Sequence, residues 1–315
     1  MTLQLNHSQP GIEQPLCPIC NGLASYEYSG RDLMYGLHAR YDYFVCPACA
    51  CVFQNPMPDA SFYPDDYMVF DQEKRIRNIS GLRLALLQQM LGYRHLHNAL
   101  PYRLLATMLS PFLRSPTPAW NGGGRMLDVG CGNGRFLTGM RSLGWSVAGV
   151  EFSEAGVKAA RLSDLPVHHG DLASARFPDD SFDLITARHV IEHIPEQHLF
   201  MAELVRILRP GGRLVIETPC STALGRQWFG TRWYANDIPR HLLLLSPANL
   251  ERPGACHGLR KTAMIMDTTT KNFLNSLDYV LGNSGKPSRK IAWRGFLARI
   301  SSGWRTARGV AIRCR

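Results

Sequence analysis

The chain has 315 residues, a formal net charge of +10 at pH 7 and 45% hydrophobic residues, room for one substantial domain plus an accessory module. No apolar run approaches the ~18 residues of a membrane-spanning helix, which excludes an integral helical membrane protein on sequence grounds. Its nine cysteines read as metal ligands or buried thiols in a reducing compartment, not as a disulfide framework. The stretch from Met1 to Pro15 is polar, without a basic start followed by an apolar core, so secretion is not expected and a cytoplasmic protein is. From Lys286 to Arg315 there are nine basic residues and no acidic one, so the imbalance sits in the tail.

The first elements are two turns. Cys17-Pro-Ile-Cys20 and Cys46-Pro-Ala-Cys49 can each aim two thiolates at one point, and the alternating Tyr26, Tyr28, Tyr41, Tyr43 and Val45 between them suggest short strands. Two such turns joined by a hairpin supply tetrahedral ligation of a structural Zn²⁺ by Cys17, Cys20, Cys46 and Cys49, with Cys51 a buried thiol outside the set. An aromatic, acidic stretch follows (Phe62, Tyr63, Asp65, Asp66, Tyr67). Residues 80–92 and 93–113 are Leu/Met-rich at helical spacing, broken at Pro101. They read as helices packed on the main domain or as a lid. Ser115-Pro-Thr-Pro and Asn121-Gly-Gly-Gly then mark a linker.

Residues 125–134 organise the remainder. Met126, Leu127 and Val129 form a buried strand, Gly130, Gly132 and Gly134 permit a tight turn close to a ligand, and a helix follows from Arg135 to Gly144. Arg135 stands where a dinucleotide fingerprint wants glycine or alanine, which disfavours NAD. A second strand, 146–150, ends at Glu151, about twenty residues past the turn, where a carboxylate can accept from ribose hydroxyls. A third ends in Gly170-Asp171-Leu172, with His168 and His169 as strand filler. The fourth, Phe182 to Ile185, leads into Thr186-Ala-Arg-His-Val-Ile-Glu-His-Ile-Pro195. His-x-x-Glu-His spells a metalloprotease pattern, but its place directly after a parallel strand argues against that chemistry. A helix ends at Arg209-Pro-Gly-Gly212, strand five spans Arg213–Thr218 and strand six 262–270. Trp228, Phe229, Trp233 and Tyr234 read either as an acceptor wall or as aromatics covering the edge of the core.

Leu127-Asp-Val-Gly-Cys-Gly-Asn-Gly134 resembles the first motif of the class I S-adenosylmethionine-dependent methyltransferases, and the resemblance spans roughly residues 124–270 with five motifs in order. It implies an α/β fold with a seven-stranded, mostly parallel Rossmann-like sheet, whose seventh, antiparallel strand would be Val310–Cys314 and would leave residues 271–308 as an insertion. The organisation expected is a zinc-ribbon-like module at 1–60, a helical segment at 61–120 and the methyltransferase domain at 121–315. S-adenosylmethionine would lie against Asp128, Gly130, Cys131, Gly132, Glu151 and Phe152. Asp171 would accept from the adenine amino group while Leu172 packs on the ring, and Arg188 would sit beside the donor. The run 186–195 is similar to that of small-molecule methyltransferases of the ubiquinone-pathway kind, and does not resemble the motif of base amino-methyltransferases. Some related quinone enzymes hold a divalent metal at this point, but His189 occupies the place of an expected acid, so a second metal is not favoured. The ribbon with Asn55-Pro-Met-Pro58 resembles the N-terminal module of a bacterial methyltransferase group, implying a glycan or other small-molecule acceptor.

The implied chemistry is displacement at the sulfonium methyl by an oxygen, nitrogen or carbon nucleophile. A hydroxyl acceptor needs a base, for which His189, His193 and His241 are the candidates. One alternative is an RNA methyltransferase whose ribbon and basic tail hold phosphates; nucleic acid is not the favoured partner. A donor-binding module without catalysis is the other. Trp293, Phe296, Leu297, Ile300 and Trp304 fall on one helical face among basic residues, a stripe that packs on the sheet edge as any surface helix does or that makes peripheral contact with an anionic membrane.

Overall fold

Alternating aromatic and β-branched residues write the first sheet. In the computed structural model, β1 (Ser25–Arg31), β2 (Arg40–Val45) and β3 (Val52–Gln54) pair antiparallel. A fourth strand, β9 (Leu243–Leu244), arrives from far down the chain and pairs with β3. Tyr43, Val52, Ile238 and Leu244 form the small core beneath, with Tyr28 stacked on Tyr43 at 5.0 Å. The structure describes residues 14–58, 81–110, 117–120, 122–266, 270–282 and 307–314. The chain divides into two units: Met1–Pro64, Arg188–Val205 and Ile216–Arg315 make one, Asp65–Ala187 and Arg206–Val215 the other.

The second unit holds the parallel sheet. Helices α1 (Gly81–Leu91) and α2 (Leu100–Leu109) precede it. Pro101 does not break a helix as the periodicity suggested. It sits in the first turn of α2, where a missing N–H costs nothing because that donor has no intrahelical partner. The strands are β4 (Arg125–Val129), β5 (Ser146–Glu151), β6 (Val167–His169), β7 (Phe182–Arg188) and β8 (Leu208–Glu217), in the order β8-β7-β4-β5-β6. The ladders joining β7, β4, β5 and β6 are parallel. The crossovers carry α3 (Arg135–Ser142) and α4 (Glu154–Arg161), the latter capped by the Ser153 hydroxyl. The apolar stripe of α3 (Leu137, Met140, Leu143) packs with Met126, Val147, Leu184 and Trp145. Leu87 and Tyr93 belong to the same core, with Trp120 packed on it.

Helix α5 (Gln197–Ile207) hands directly to β8, so the strand begins at Leu208 and not at Arg213. Gly211, at φ +75°, makes the bend within it that the sequence suggested as a helix stop. In the first unit, α7 (Pro247–Cys256) packs on β10 (Leu259–Met266), which pairs antiparallel with β11 (Ala307–Cys314), and α6 (Leu224–Phe229) meets α8 (Thr270–Val280). Strand six thus starts and ends earlier than expected, and α8 occupies the start of the expected insertion. Among the described residues no helix is long and apolar enough to cross a membrane. The stretch 62–67 and the aromatic face of 290–305 lie outside the described residues.

One buried triad ties the helical segment to the sheet. The Tyr93 hydroxyl donates to the Pro118 carbonyl at 2.7 Å and accepts from the Trp145 indole at 3.1 Å. Tyr93→Phe orphans both partners in the core and should cost about 1–3 kcal/mol. The check is urea unfolding, with a lowered midpoint at unchanged slope.

Candidate active site

The glycine turn takes the shape its residues dictate. Gly130, Gly132 and Gly134 have φ of +68°, +55° and +71°, the left-handed region where a Cβ is strained. Gly134 has a second reason, since an added Cβ would lie 2.2 Å from Leu165 Cδ1. The buried Glu151 carboxylate, at the end of β5, braces the turn: Oε2 accepts from the Gly132 amide at 2.7 Å and Oε1 from the Ser153 amide at 2.8 Å. Each oxygen retains a second lone pair, so the carboxylate can still accept two hydroxyls. Phe152, next to it, is 71% exposed. Asp128 is buried in the sheet and accepts from the Thr186 hydroxyl at 2.5 Å, a bond between β4 and β7. Cys131 is buried against Gly149, where an added Cβ would come within 2.6 Å of its Sγ. Asp171 Oδ1 accepts from the Ser174 amide at 2.7 Å, a bond that lowers its pKa, and Leu172 is buried. The flanking histidines are engaged: His169 Nε2 meets the Phe152 carbonyl at 3.1 Å and His168 Nε2 meets Ser174 Oγ at 3.0 Å.

The other unit holds a carboxylate among three histidines. Arg188 is the last residue of β7, and His189 follows in a left-handed conformation at φ +55°. A side chain with a branched ring at this φ is held there at a cost, as happens at sites where a group must be aimed. Its Nδ1 is 3.2 Å from Glu192 Oε1 and its Nε2 3.6 Å from Glu217 Oε1. Glu192 is fully buried, in a short 3₁₀ turn (Ile191–His193), and His241 Nε2 lies 3.9 Å from its Oε1. One ligand atom each of Glu192, His193 and His241 lie within 4.8 Å of one another. Among the described residues Glu192 Oε2 has no hydrogen-bond partner. Backbone carbonyls fix both rings: His193 Nδ1–H donates to Arg240 O at 2.9 Å and His241 Nδ1–H to Ala235 O at 2.9 Å. In the neutral ring the lone pair is then on Nε2.

The electrostatics divide the histidines. Desolvation opposes a charge on His189 only in part, its side chain being 51% exposed, and its bonds to Glu192 and Glu217 raise it to about 9. Burial, then the neighbouring His241, pushes His193 down to about 4. Burial also opposes the Glu192 charge, yet the bond from His189 and the nearby imidazoles hold its carboxyl down at about 2. At neutral pH the group is therefore an imidazolium–carboxylate pair beside a neutral ring.

The four cysteines converge in the first unit. Cys17 and Cys49 Sγ are 3.6 Å apart, Cys20 and Cys46 3.5 Å, and all four lie within 4.8 Å of one another. A tetrahedral ion with Zn–S near 2.3 Å needs sulfurs about 3.8 Å apart, so the cage fits. The two turns repeat one geometry. Cys17 N donates to Gly22 O and Asn21 N to Cys17 O, both 2.9 Å. Cys46 N donates to Cys51 O at 2.9 Å and Ala50 N to Cys46 O at 2.8 Å. Cys51 is buried outside the group of four.

Residues that sequence reasoning passed over turn out to hold the site together. Thr186, Glu192, Asp32, Tyr43 and Arg240 were not singled out. Glu192 was visible inside His-x-x-Glu-His, where setting aside the protease reading also set aside the carboxylate. Asp32 and Arg240 pair across 208 positions, a separation with no local signal. The expected acceptor-wall aromatics are partly spent on packing: Trp233 is buried and stacks with Phe229 at 6.0 Å, while Trp228 is exposed.

A family described as "Methyltransferase domain" matches residues 93–263. A ubiquinone biosynthesis O-methyltransferase from Chelativorans sp. (strain BNC1) is 31% identical over 205 residues, covering 59% of this chain and 81% of that protein. A probable S-adenosylmethionine-dependent methyltransferase from Mycolicibacterium smegmatis is 36% identical over 96 residues, 30% of this chain and 37% of that one. A crystal structure of a SAM-dependent methyltransferase from Archaeoglobus fulgidus aligns with a TM-score of 0.46 and 19% identity, covering 67% of this chain and 93% of its own.

Glu192→Gln keeps the shape of the cluster and removes its charge. The His189 pKa should fall from about 9 toward the ordinary value of 6.5, with Glu217 retaining part of the elevation. An NMR titration of the imidazole signals measures it.

Proposed function

We propose O-methylation of a small-molecule acceptor by this chain, which belongs to the methyltransferase-domain family and is an S-adenosylmethionine-dependent methyltransferase. The observation that carries the hydroxyl acceptor is the Glu192–His193–His241 group, which begins four residues past Arg188, the end of β7. Carboxyl ends of parallel strands are where α/β folds bind ligands. A sulfonium methyl needs no further activation, so the protein supplies alignment and a dry site. The acceptor oxygen forms the new C–O bond while the S–CH₃ bond breaks, its electron pair going to sulfur and leaving S-adenosylhomocysteine. The hydroxyl proton must go to a base. His189 is protonated at neutral pH and cannot take it, though its charge suits a developing oxyanion. His193 is neutral, so it is the group that takes the proton, with the His241 ring beside it at 4.9 Å. Names among the relatives, ubiquinone biosynthesis O-methyltransferases, support a hydroxyl over an amine.

The donor site in this reading comprises Asp128, Gly130, Cys131, Gly132, Glu151, Phe152, Asp171, Leu172 and Arg188. Glu151 accepts the ribose hydroxyls, Asp171 the adenine amino group, and Asp128 acts through its bond to Thr186. The cysteine cage holds a structural Zn²⁺. A seven-stranded sheet would take β10 and β11 as its sixth and seventh strands. The modules meet near residues 60 and 120, and the aromatic, basic pattern of residues 290–305 supports peripheral contact with an anionic membrane. A second reading rests on the unpartnered Glu192 Oε2: Glu192, His193 and His241 are a donor set suited to a divalent transition metal, which would acidify a bound hydroxyl.

Labelled donor offered to a panel of phenols, sugars and amines tests the class; label found only on nitrogen would overturn the O-methyl reading. Glu151→Ala should weaken donor binding by about 1–3 kcal/mol in calorimetry, and unchanged affinity would remove Glu151 from the site. Elemental analysis should find one zinc per chain, retained in Cys51→Ser and lost in Cys46→Ser, because binding and folding of such cages are coupled. A second equivalent of metal, lost in Glu192→Gln, would favour the metal reading of the histidine group.

A further inference from the structure

A ribbon closed on itself would have no reason to touch the histidines, yet this one touches their segment at every strand. Tyr43, on β2, donates its buried hydroxyl to the His241 carbonyl at 3.1 Å. The Gln54 amide, on β3, donates to the Leu242 carbonyl at 2.9 Å. Asp32, just past β1, pairs with Arg240: Nη1 to Oδ2 at 2.5 Å and Nη2 to Oδ1 at 3.1 Å. The Asp32 carboxylate is itself held, accepting from the Met34 and Tyr35 amides at 2.8 and 3.0 Å. Arg240, 1% exposed, also reaches Asp237 Oδ1 at 2.6 Å, and its own carbonyl is the one that fixes His193. The metal knuckle contributes too. The Cys49 carbonyl accepts from Asn249 Nδ2 at 2.6 Å and Ser246 Oγ at 3.3 Å, and the Ala50 carbonyl from Ser221 Oγ at 3.1 Å.

We propose that the four-cysteine ribbon is the positioning scaffold of the histidine cluster, with Asp32 and Tyr43 as the residues that set the rings of His193 and His241. The chain of cause is short. A metal in the cage would fix the knuckle, and the knuckle carbonyls hold residues 221–249; Asp32 places the Arg240 carbonyl that accepts from His193 Nδ1–H, and Tyr43 anchors the His241 backbone, so that its ring reaches the Ala235 carbonyl. A carbonyl that accepts from Nδ1–H selects one tautomer of the ring, so moving it releases the Nε2 lone pair from its aim. The ribbon in this account is an internal brace and not a recognition module for nucleic acid. The inference rests on the cluster being the acceptor site, but its test reads ring geometry, which holds or fails independently of the acceptor.

The experiment uses the full chain, zinc-loaded, with ¹⁵N-labelled histidine. In the wild type both His193 and His241 should show a single Nδ1–H tautomer. Tyr43→Phe removes one hydroxyl; Asp32→Asn removes one charge and keeps the side chain's shape. Both should give mixed tautomers at His241 or His193, at unchanged zinc content and donor affinity. Amide exchange across 240–243 should rise roughly five- to tenfold, the factor carried by loss of one buried hydrogen bond. Stripping zinc with a chelator should give the same ring signature. Should Asp32→Asn fail to fold, Tyr43→Phe decides alone. Wild-type tautomers and exchange in Tyr43→Phe, or after zinc removal, would overturn the scaffold role whatever the methyl acceptor proves to be.

Discussion

A guanidinium buried to 1% exposure is the constraint on which the first unit depends. Arg240 carries a charge that cannot be shed, and its position away from water is tolerable only because Asp32 and Asp237 meet it with matched geometry. Burial works against its charge, and the bonds to the two carboxylates outweigh that and raise its pKa further. Such a pair adds little net stability compared with apolar packing, but it has few acceptable arrangements. The Asp237 backbone in a left-handed turn, the Tyr35 ring 5.0 Å from the guanidinium and the carbonyl offered to His193 are all placed around that one arrangement. Specificity of geometry is what the charges supply.

The second unit is organised by a weaker but more local device. Glu151 ties its own strand end to the glycine turn of the neighbouring strand, so the two loops at these strand ends are not independent. A carboxylate with both oxygens already bonded to amides is preorganised, and hydroxyls that bind it need not reorder it. The two units thus solve one problem differently: one fixes a polar group with backbone amides close in sequence, the other with side chains two hundred positions away.

This difference also explains what could be read from the sequence. Strand, glycine turn and helix were legible at 125–144 because every determinant lies within one supersecondary unit and each local preference agrees with the fold. The cysteine cage was legible because its spacing repeats. Pro101 misled because the same residue that breaks a helix interior starts a helix, and only the neighbouring turn decides which. The start of β8 was misplaced because Pro210-Gly-Gly reads as a stop, although its backbone continues as strand through a bend at Gly211. The roles of Asp32, Tyr43 and Glu192 were hidden for another reason: a buried polar network is defined by partners far apart, and neither periodicity nor composition records them.

The two-residue strand β9 has a consequence for how the chain is made. Among the described residues the outer edge of β3 is met by Leu243, Leu244 and the Leu242 carbonyl, so the N-terminal sheet leaves the ribosome with an open row of backbone donors and acceptors. At about 5–20 residues per second, the intervening stretch takes on the order of 10–40 s to synthesise. During that interval the aromatic strands are a template for pairing with another chain. Closing the cysteine cage would not pair that edge, so the exposure lasts until residues 242–244 emerge, and the distance along the chain from β3 to β9 sets how long the nascent sheet must be kept from its neighbours.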